Sequence, residues 1–399
     1  MRLKKLLSLG GNYFQMTAVK AAKRLGYYVI DADYIPHNPA HQYADEYHNI
    51  STLDRDKILK LAMDKHVDGV ISYASDIAAP TAAYVAEQMG LPTNPYESVV
   101  LMTRKDLFHP FLKSNGFYVP ESVKVSTLKE IYDFFEQMNK DIMLKPLSSS
   151  GSKGVSHIRD EKEIEQAYQE AKRYAGDDNL VAERFIQRNG YQIAGDAFLV
   201  DGKIKFFGLA NEHFNNNCNP LVPVGESFPV DLSKEKIERA KTEISRALSI
   251  LGMKNGAINL DFMFDTEDRL FIIELGPRNG GNLITDAIKE STGIDLAEYT
   301  VKAAVGDDLS DLNEGEWKKY VSSYIWHSKE NGKYKEIQFA DRLRKKIVIS
   351  EMFVQHGENV GKFINGGFGL GAALIQYENK DEMLYMMDHM NDYYQIAFS

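Results

Sequence analysis

The sequence contains very little cysteine, no long apolar run and no excess of positive charge. Cys218 is the single cysteine among 399 residues, which excludes an internal disulfide framework and indicates a reducing compartment. No base stands beside it in the sequence, so a catalytic thiol is disfavoured. No run approaches the roughly 18 apolar residues of a membrane span. We therefore expect a soluble cytoplasmic protein that does not bind a membrane.

The charge balance and the missing nucleotide motifs exclude further classes. The formal net charge of −10 disfavours sequence-independent nucleic-acid binding, because such binding depends on lysine and arginine neutralising phosphates. Neither GxxxxGK[ST] nor GxGxxG occurs, so a P-loop and a Rossmann dinucleotide fingerprint are both absent from the sequence. We found no internal repeat and no low-complexity segment.

The length predicts several packed units. A chain of 399 residues is longer than a single hydrophobic core usually supports, so about two to four packed units are expected. Residues 1–92 alternate short apolar runs with helical patterns, which is typical of a parallel sheet covered by helices. Further on, 98–117 reads as one helix, VDGK at 200–203 as a hairpin turn, and KDEMLYMMDHMNDYYQ at 380–395 as a closing helix.

The segment MLKPLSSSGSKGV, residues 143–155, has almost nothing to bury. A loop of small residues lets backbone N–H groups approach a ligand, most often phosphate oxygens, although a flexible surface turn explains the same composition. The segment adds hydroxyl donors, glycines and two lysines: Lys145, Ser148, Ser149, Ser150, Gly151, Ser152, Lys153 and Gly154. It is therefore a candidate phosphate loop of an architecture other than the P-loop.

Two acidic residues interrupt apolar strands of a predicted hairpin. Asp261 lies within AINLDFMF and Glu274 within LFIIELG. A carboxylate in a buried strand is costly unless it is paired or binds a cation, and two on facing strands suit Mg²⁺. Strand-end acids facing solvent are the alternative. A phosphate loop and a magnesium hairpin in one chain support each other.

The order of these segments resembles the ATP-grasp superfamily, in the branch of biotin carboxylase, carbamoyl phosphate synthetase and the purine enzymes that act on glycinamide or aminoimidazole ribonucleotides. The resemblance covers essentially the whole chain and implies a mixed α/β and α+β fold. It implies an N-terminal parallel α/β (pre-ATP-grasp) domain at 1–92, an ATP-grasp core at 93–305 and a small C-terminal domain at 306–399. The core would have two lobes, at about 93–180 and 181–305.

The resemblance assigns ATP-binding roles in chain order. Lys105, in LMTRKDLF, resembles the basic residue that reaches the ATP phosphates, with its neighbour Arg104 as an alternative. Lys145 resembles the second ATP lysine, on the α- and β-phosphates. The glycine-rich flap over the triphosphate would comprise Ser148, Ser149, Ser150, Gly151, Ser152 and Gly154.

The segment AERFI resembles the hinge that holds adenine. The resemblance implies contacts from the backbone groups of Phe185 and Ile186 and from the Glu183 carboxylate, with Arg184 in the same segment. Gln192 takes the place of a ribose-binding glutamate, where it can form a hydrogen bond without a charge.

The resemblance also assigns the metal ligands and one catalytic residue. Asp261 and Glu274 match the two metal carboxylates, which implies Mg²⁺, with Mn²⁺ as an alternative. Gly276 stands where many members carry asparagine, so the number of metal ions is left open. Arg278 matches an arginine that contacts the transferring phosphoryl group or the acidic substrate.

The implied activity is an ADP-forming ligase. ATP would phosphorylate a small carboxylate, and an amine would attack the acyl phosphate and release phosphate. The partners would be a small-molecule carboxylate and an amine, and the resemblance allows a homodimer. Two alternatives stay open: an enzyme of purine or biotin type that activates formate or bicarbonate, and a nucleotide-binding protein without turnover.

Several features keep two interpretations at this point. His213 could line the acceptor site or be solvated. Asp76 follows a predicted strand and could face the substrate. The glycine turn LGGNYFQ could seat an anion at a helix N-terminus. The glycine-rich stretch 366–371 could close the cleft or form tight turns.

Overall fold

A computed structural model describes residues 2–147, 152–175 and 180–399. The predicted loop residues Ser148, Ser149, Ser150 and Gly151 lie outside the described residues. None of the helices in the described ranges combines the length and apolarity that crossing a bilayer requires.

A parallel sheet covered by helices forms the N-terminal part, as predicted. Its elements are β1 (Lys5–Leu9), α1 (Met16–Arg24), β2 (Tyr28–Ala32), β3 (Glu46–His48), α2 (Arg55–Lys65), β4 (Gly69–Ile71) and α3 (Ala79–Gln88). The strand order is β3-β2-β1-β4. Helices pack on both faces, so successive strand residues such as Leu6 and Leu7 are fully buried.

A small antiparallel sheet follows. Its segment contains α4 (Tyr96–Thr103), α5 (Lys105–Ser114), β5 (Ser122–Val125), α6 (Leu128–Gln137), β6 (Ile142–Pro146), β7 (Ser156–Ile158), α7 (Ile164–Tyr174) and β8 (Leu180–Arg184). The order is β5-β8-β6-β7, and α6 and α7 bury the apolar side chains of these strands. Thr127 starts α6 with a capping box completed by Glu130, which fixes where the helix begins.

A long antiparallel sheet makes up most of the remaining chain. Its segment contains β9 (Gln192–Val200), β10 (Lys203–Asn215), β11 (Asn219–Phe228), α8 (Lys234–Ile250), β12 (Gly256–Phe264), β13 (Leu270–Gly276), α9 (Ile284–Thr292), α10 (Leu296–Ala304), β14 (Tyr320–Trp326), β15 (Gly332–Phe339), α11 (Asp341–Arg344), β16 (Ile347–Met352), β17 (Asn359–Val360), β18 (Gly371–Tyr377), α12 (Lys380–Asp388) and β19 (Tyr394–Phe398). Eight strands pair in the order β13-β12-β9-β10-β11-β14-β18-β16, and β17-β15-β19 form a further sheet.

The long sheet crosses the predicted boundary between core and C-terminal domain. Strands β14, β16 and β18 follow residue 306 and extend the sheet that β9 to β13 begin. The predicted fold class of a parallel N-terminal sheet and antiparallel core sheets is confirmed. The domain boundaries themselves stay a prediction.

The predicted helix over 98–117 is instead two helices. Arg104 is extended between them, at φ −116° and ψ 107°. The Thr103 hydroxyl donates to the carbonyls of Val99 and Val100, both at 3.1 Å, and so satisfies the last turn of α4. The break matters because it makes Lys105 the first residue of α5.

The predicted closing helix over 380–395 is shorter than expected. It ends at Asp388, and Tyr394 begins β19, which pairs with β15. The Tyr394 ring lies 5.0 Å from the Trp326 ring. Strand pairing and aromatic packing therefore override the local helical pattern.

Three-residue and five-residue 3₁₀ helices complete the described elements: Pro39–Tyr43, Glu161–Glu163, Gly366–Phe368 and Met390–Asp392.

Gly195 allows β9 and β10 to pair closely. Its φ is +138°, and a Cβ placed there would lie 2.0 Å from the Gly208 carbonyl oxygen.

We expect Gly195→Ala to lower the free energy of unfolding by about 3 kcal/mol, since both the clash and the backbone conformation oppose a side chain. Denaturant titration measures it. Gly202→Ala is the control, because its φ of +74° is also positive but the nearest atom, Met253 O, is 3.6 Å away. Equal losses in the two variants would contradict the close-pairing explanation.

Candidate active site

Two carboxylates face each other on β12 and β13. Asp261 and Glu274 are paired in the antiparallel register, and the register shifts directly after Asp261. Burial, and next the charge of Glu274, raise the pKa of Asp261 to about 7. Among the described residues no group of three or more His, Cys, Asp or Glu is arranged to hold a metal ion. A carboxylate pair with open oxygen positions fits Mg²⁺, which keeps waters and phosphates as further ligands.

Two lysines from the preceding segment reach this pair. Lys105 Nζ lies 3.6 Å from Glu274 Oε2. The charges of Lys105 and Lys145 both lower the pKa of Asp261, against the raising effect of burial. Both predicted phosphate lysines therefore converge with both predicted metal ligands. Arg104, the alternative to Lys105, pairs with Asp106.

Lys145 is held by a buried acid. Its Nζ lies 2.5 Å from Glu183 Oε2, and His109 Nδ1 lies 3.3 Å from the other carboxylate oxygen. Burial opposes ionisation of Glu183, but Lys145 and His109 outweigh it and hold its pKa below the usual range. Sequence reasoning missed His109, whose Nε2 is 3.3 Å from the Ile273 carbonyl oxygen. A histidine within an apolar helix was the available signal.

The predicted adenine hinge comprises the end of β8 and the two residues after it. The Phe185 amide donates to the Asp141 carbonyl at 3.1 Å. The His157 ring stacks on Phe185 at 3.9 Å and 15°. Arg184 extends toward exposed Glu121, at 3.7 Å. The adenine contacts of this segment, including those of Ile186, stay a prediction.

Gln192 lies beside the metal pair. Its side-chain amide donates to Asp261 Oδ1 at 2.8 Å, and it is also hydrogen-bonded to Glu212 of β10. Its predicted ribose contact therefore stays untested, while its observed role is to orient an acid. Glu212 was missed from the sequence, although it interrupts a largely buried strand as Asp261 does.

The described end of the flap requires left-handed backbone. Ser152 has φ +57° and Gly154 has φ +70°. A Cβ on Gly154 would lie 2.9 Å from Pro146 Cγ, so the loop packs closely on β6. A Cβ on Gly367 would lie 3.9 Å from Lys153 Cε, which places the C-terminal glycine stretch beside the flap.

Arg278 is fixed by Asp76 of the N-terminal part. Arg278 Nε and Nη2 lie 2.8 and 2.5 Å from the two Asp76 carboxylate oxygens. Burial opposes the arginine charge, but Asp76 and Glu274 raise its pKa above the usual value. A Cβ on Gly276 would lie 2.9 Å from Asp76 Oδ1, so this pair occupies the space that a side chain at 276 needs. No third metal ligand from that position fits.

The loop after Arg278 is anchored by buried Asp196. The Gly280 amide donates to both oxygens of Asp196, at 2.8 and 3.0 Å, and Asn259 donates at 3.0 Å. Beyond it, Asn282 and Leu283 both adopt positive φ, of 52° and 64°. Such strain persists only where surrounding contacts impose it, as at binding sites.

Three other candidates have structural roles. His213 is buried, with Asp388 Oδ1 and Ser227 Oγ each 2.9 Å away, so the solvated interpretation is wrong. Burial raises the pKa of the Cys218 thiol, which disfavours a reactive thiolate. In the N-terminal glycine turn the Gly11 amide donates to Asp33 Oδ2 at 2.8 Å, so the protein's own carboxylate occupies that anion position.

Comparison with known proteins gives a family match. Residues 110–291 match the ATP-grasp domain family. The chain is 24% identical over 311 residues to the carbamoyl phosphate synthase large chain of Pseudothermotoga lettingae, covering 75% of this chain and 27% of that one. It is 24% identical over 284 residues to a formate-dependent phosphoribosylglycinamide formyltransferase of Wolinella succinogenes, covering 69% and 70%. The chain thus spans about a quarter of the synthase it matches.

Solved structures share the fold. The crystal structure of an L-amino acid ligase from Bacillus licheniformis aligns with a TM-score of 0.83 at 20% identity, over 100% of both chains. A phosphoribosylglycinamide synthetase from Anaerococcus prevotii aligns with a TM-score of 0.76 at 22% identity, over 99% of this chain and 100% of that one.

The pair of Lys145 and Glu183 predicts a pH-dependent stability difference. Lys145→Met removes the main charge partner of buried Glu183, so we expect the free energy of unfolding at pH 7 to fall by about 3 kcal/mol. Since the folded pKa of Glu183 lies below its ordinary 4.5, its contribution is complete above 4.5 and is lost as the pH falls below it. The deficit of Lys145→Met should therefore shrink below that pH in denaturant titrations.

The matched control removes both charges. Lys145→Met combined with Glu183→Leu should recover most of the loss at pH 7, because an apolar pair of similar volume needs no charge partner. A deficit in Lys145→Met that stayed constant from pH 7 to pH 3 would rule out this charge pair as its cause.

Proposed function

We propose, from the premise that this chain carries an ATP-grasp domain, that the protein is an ATP-dependent ligase. It activates a small carboxylate as an acyl phosphate for attack by an amine, and it releases ADP and phosphate. The observation that carries this proposal is the convergence of Lys105 and Lys145 on the carboxylates Asp261 and Glu274.

The chain's own charges suit phosphoryl transfer, in which a protein chiefly positions groups and neutralises charge. Lys105 and Lys145 bind the phosphate chain of ATP, and Glu183 with His109 keeps the Lys145 ammonium in position. The flap residues, Ser152 and Gly154 among them, cover the triphosphate and exclude water from the acyl phosphate. The adenine base of ATP lies along Phe185 and Ile186, and Gln192 contacts the ribose.

Asp261 and Glu274 hold the divalent cation. Mg²⁺, or Mn²⁺ as an alternative oxygen-preferring cation, would neutralise charge on the β- and γ-phosphates when bound. Gln192 orients Asp261 by donating to its Oδ1 atom.

Arg278 binds the acidic substrate or the transferring phosphoryl group. Asp76 accepts from Nε and Nη2 along one edge of the guanidinium group, so the arginine is oriented before substrate arrives. The partners are therefore a small-molecule carboxylate and an amine. The cytoplasmic location and the homodimer stay predictions from the sequence.

Nucleotide product analysis tests the function. The purified protein is incubated with MgATP, a panel of small carboxylates that includes formate and bicarbonate, and a panel of amines and amino acids. We expect ADP that depends on one acid, with Glu274→Gln reducing its formation at least about a hundredfold through loss of a metal ligand. ADP with formate or bicarbonate alone would support the purine- or biotin-type alternative.

Two results would contradict a ligase of this kind. AMP as the product would show that ATP adenylates the acid instead of phosphorylating it. ATP binding without any product across the panel would favour the nucleotide-binding alternative.

A matched pair of variants separates Lys105 from Arg104. Lys105→Met should lower kcat by about tenfold to a hundredfold, because its ammonium lies at the metal pair. Arg104→Met should change kcat less than about twofold, since that guanidinium pairs with Asp106. Steady-state kinetics with saturating MgATP measure both. The reverse order of effects would transfer the phosphate role to Arg104.

A further inference from the structure

A row of acids continues beyond the metal pair across the long sheet. Glu274 and Asp261 are paired between β13 and β12. Gln192 of β9, which donates to Asp261, is the register partner of Glu212 on β10. Glu212 is in turn the register partner of Glu226 on β11. Because paired positions point to the same face, these side chains share the face that carries the metal ligands.

Glu212 is the member of this row with an unsatisfied carboxylate oxygen. It is 6% exposed, and its Oε2 atom has no hydrogen-bond partner within the described ranges. Glu226, 4% exposed, accepts from the Ser323 hydroxyl. Burial, followed by the charges of Asp261 and Glu226, raises the pKa of Glu212 well above its ordinary value, although Arg188 and Gln192 act in the opposite direction.

Burying a carboxylate oxygen that has no hydrogen-bond partner destabilises the ligand-free protein. Arg188 supplies an opposing charge to Glu212, yet the Oε2 atom has no hydrogen-bond partner within the described ranges. A positively charged donor that arrives with a ligand would supply the missing partner. Its hydrogen bonds to a carboxylate would be of the strong, charge-assisted kind.

One apolar cluster includes a residue of β11, the strand that carries Glu226. Val224 lies two residues before Glu226 on β11, at the register shift opposite His213 and Phe214. Val224 belongs to one hydrophobic cluster with Leu283 and with the partly buried Tyr13 and Phe14. The Phe353 ring lies 5.0 and 5.6 Å from the rings of Tyr13 and Phe14. We call Tyr13, Phe14 and Phe353 the aromatic wall.

We propose that Glu212, with Glu226 beside it, binds the ammonium group of an amino-acid substrate whose apolar side chain lies against the aromatic wall. The inference rests on the proposed function and names the substrate class for it. The three N–H donors of an ammonium group match the open Glu212 oxygen and its neighbour. Val224, Leu283 and the aromatic wall favour an aliphatic or aromatic side chain.

Equilibrium binding with matched probes tests the ammonium site. The full-length protein, saturated with magnesium and a non-hydrolysable ATP analogue, is titrated calorimetrically with L-phenylalanine and L-leucine. Their counterparts without the amino group, 3-phenylpropionate and 4-methylpentanoate, are titrated in parallel. We expect wild type to bind the ammonium-bearing member of at least one pair about tenfold or more tighter.

Glu212→Gln should remove this preference while leaving affinity for the nucleotide analogue unchanged. Glu170→Gln is the matched control, since Glu170 pairs with Arg173 on an exposed helix face, and it should keep the preference. Thermal unfolding checks that each variant folds. If Glu212→Gln unfolds, Glu212→Asp serves instead, because it keeps the charge and withdraws the carboxylate by one methylene, which should weaken the preference.

Three results would overturn the proposal: equal or absent binding of both members of every pair to wild type, a preference that survives in Glu212→Gln, or loss of a bound Mg²⁺ in that variant. The last would make Glu212 a metal ligand. These outcomes are distinct from failure of the ligase function, because the binding assay needs no turnover. If the wild type forms ADP but binds both members of every pair equally, the ligase proposal stands and only the ammonium-site proposal fails.

Discussion

The candidate active site depends on one electrostatic constraint. Asp261 and Glu274 lie side by side on β12 and β13. Their mutual repulsion in a partly buried position would be unfavourable if nothing opposed it. Lys105 approaches from α5 and Lys145 from β6, and each lowers the pKa that burial and Glu274 raise in Asp261. The acids lie on β12 and β13, so this charge balance joins the long sheet to the preceding segment, where nucleotide and metal are proposed to bind.

Acidic side chains of the protein hold the charged and polar groups around the candidate site. Glu183 holds Lys145, Asp76 holds Arg278, and Asp196 holds the loop that follows. Preorganised charges cost little reorganisation when a reaction occurs, and this is the condition under which they stabilise a transition state most. Glu212 breaks this pattern, because its Oε2 atom has no hydrogen-bond partner in the part of the chain that the structure describes.

Local patterns in the sequence were sufficient for most elements of the fold. The turn at Asp201 and Gly202 and the hairpin that carries Asp261 and Glu274 lie where the sequence indicated. The interruption at Arg104 and the strand that ends the chain did not follow from local periodicity. Both depend on tertiary contacts that outweigh helix propensity.

The sequence by itself determined the fold class and the identity of the lysines and acids that meet in the cleft. Residue type and pattern indicated Asp261, Glu274 and Lys145, because buried charges need partners and small residues suit loops. Lys105 was assigned by the resemblance to the ATP-grasp superfamily. Only the tertiary structure decided which charges meet: His109 with Glu183, Asp76 with Arg278, and Gln192 with Asp261. These partners are separated by tens to hundreds of residues, and only sheet register and domain packing bring them within hydrogen-bond distance.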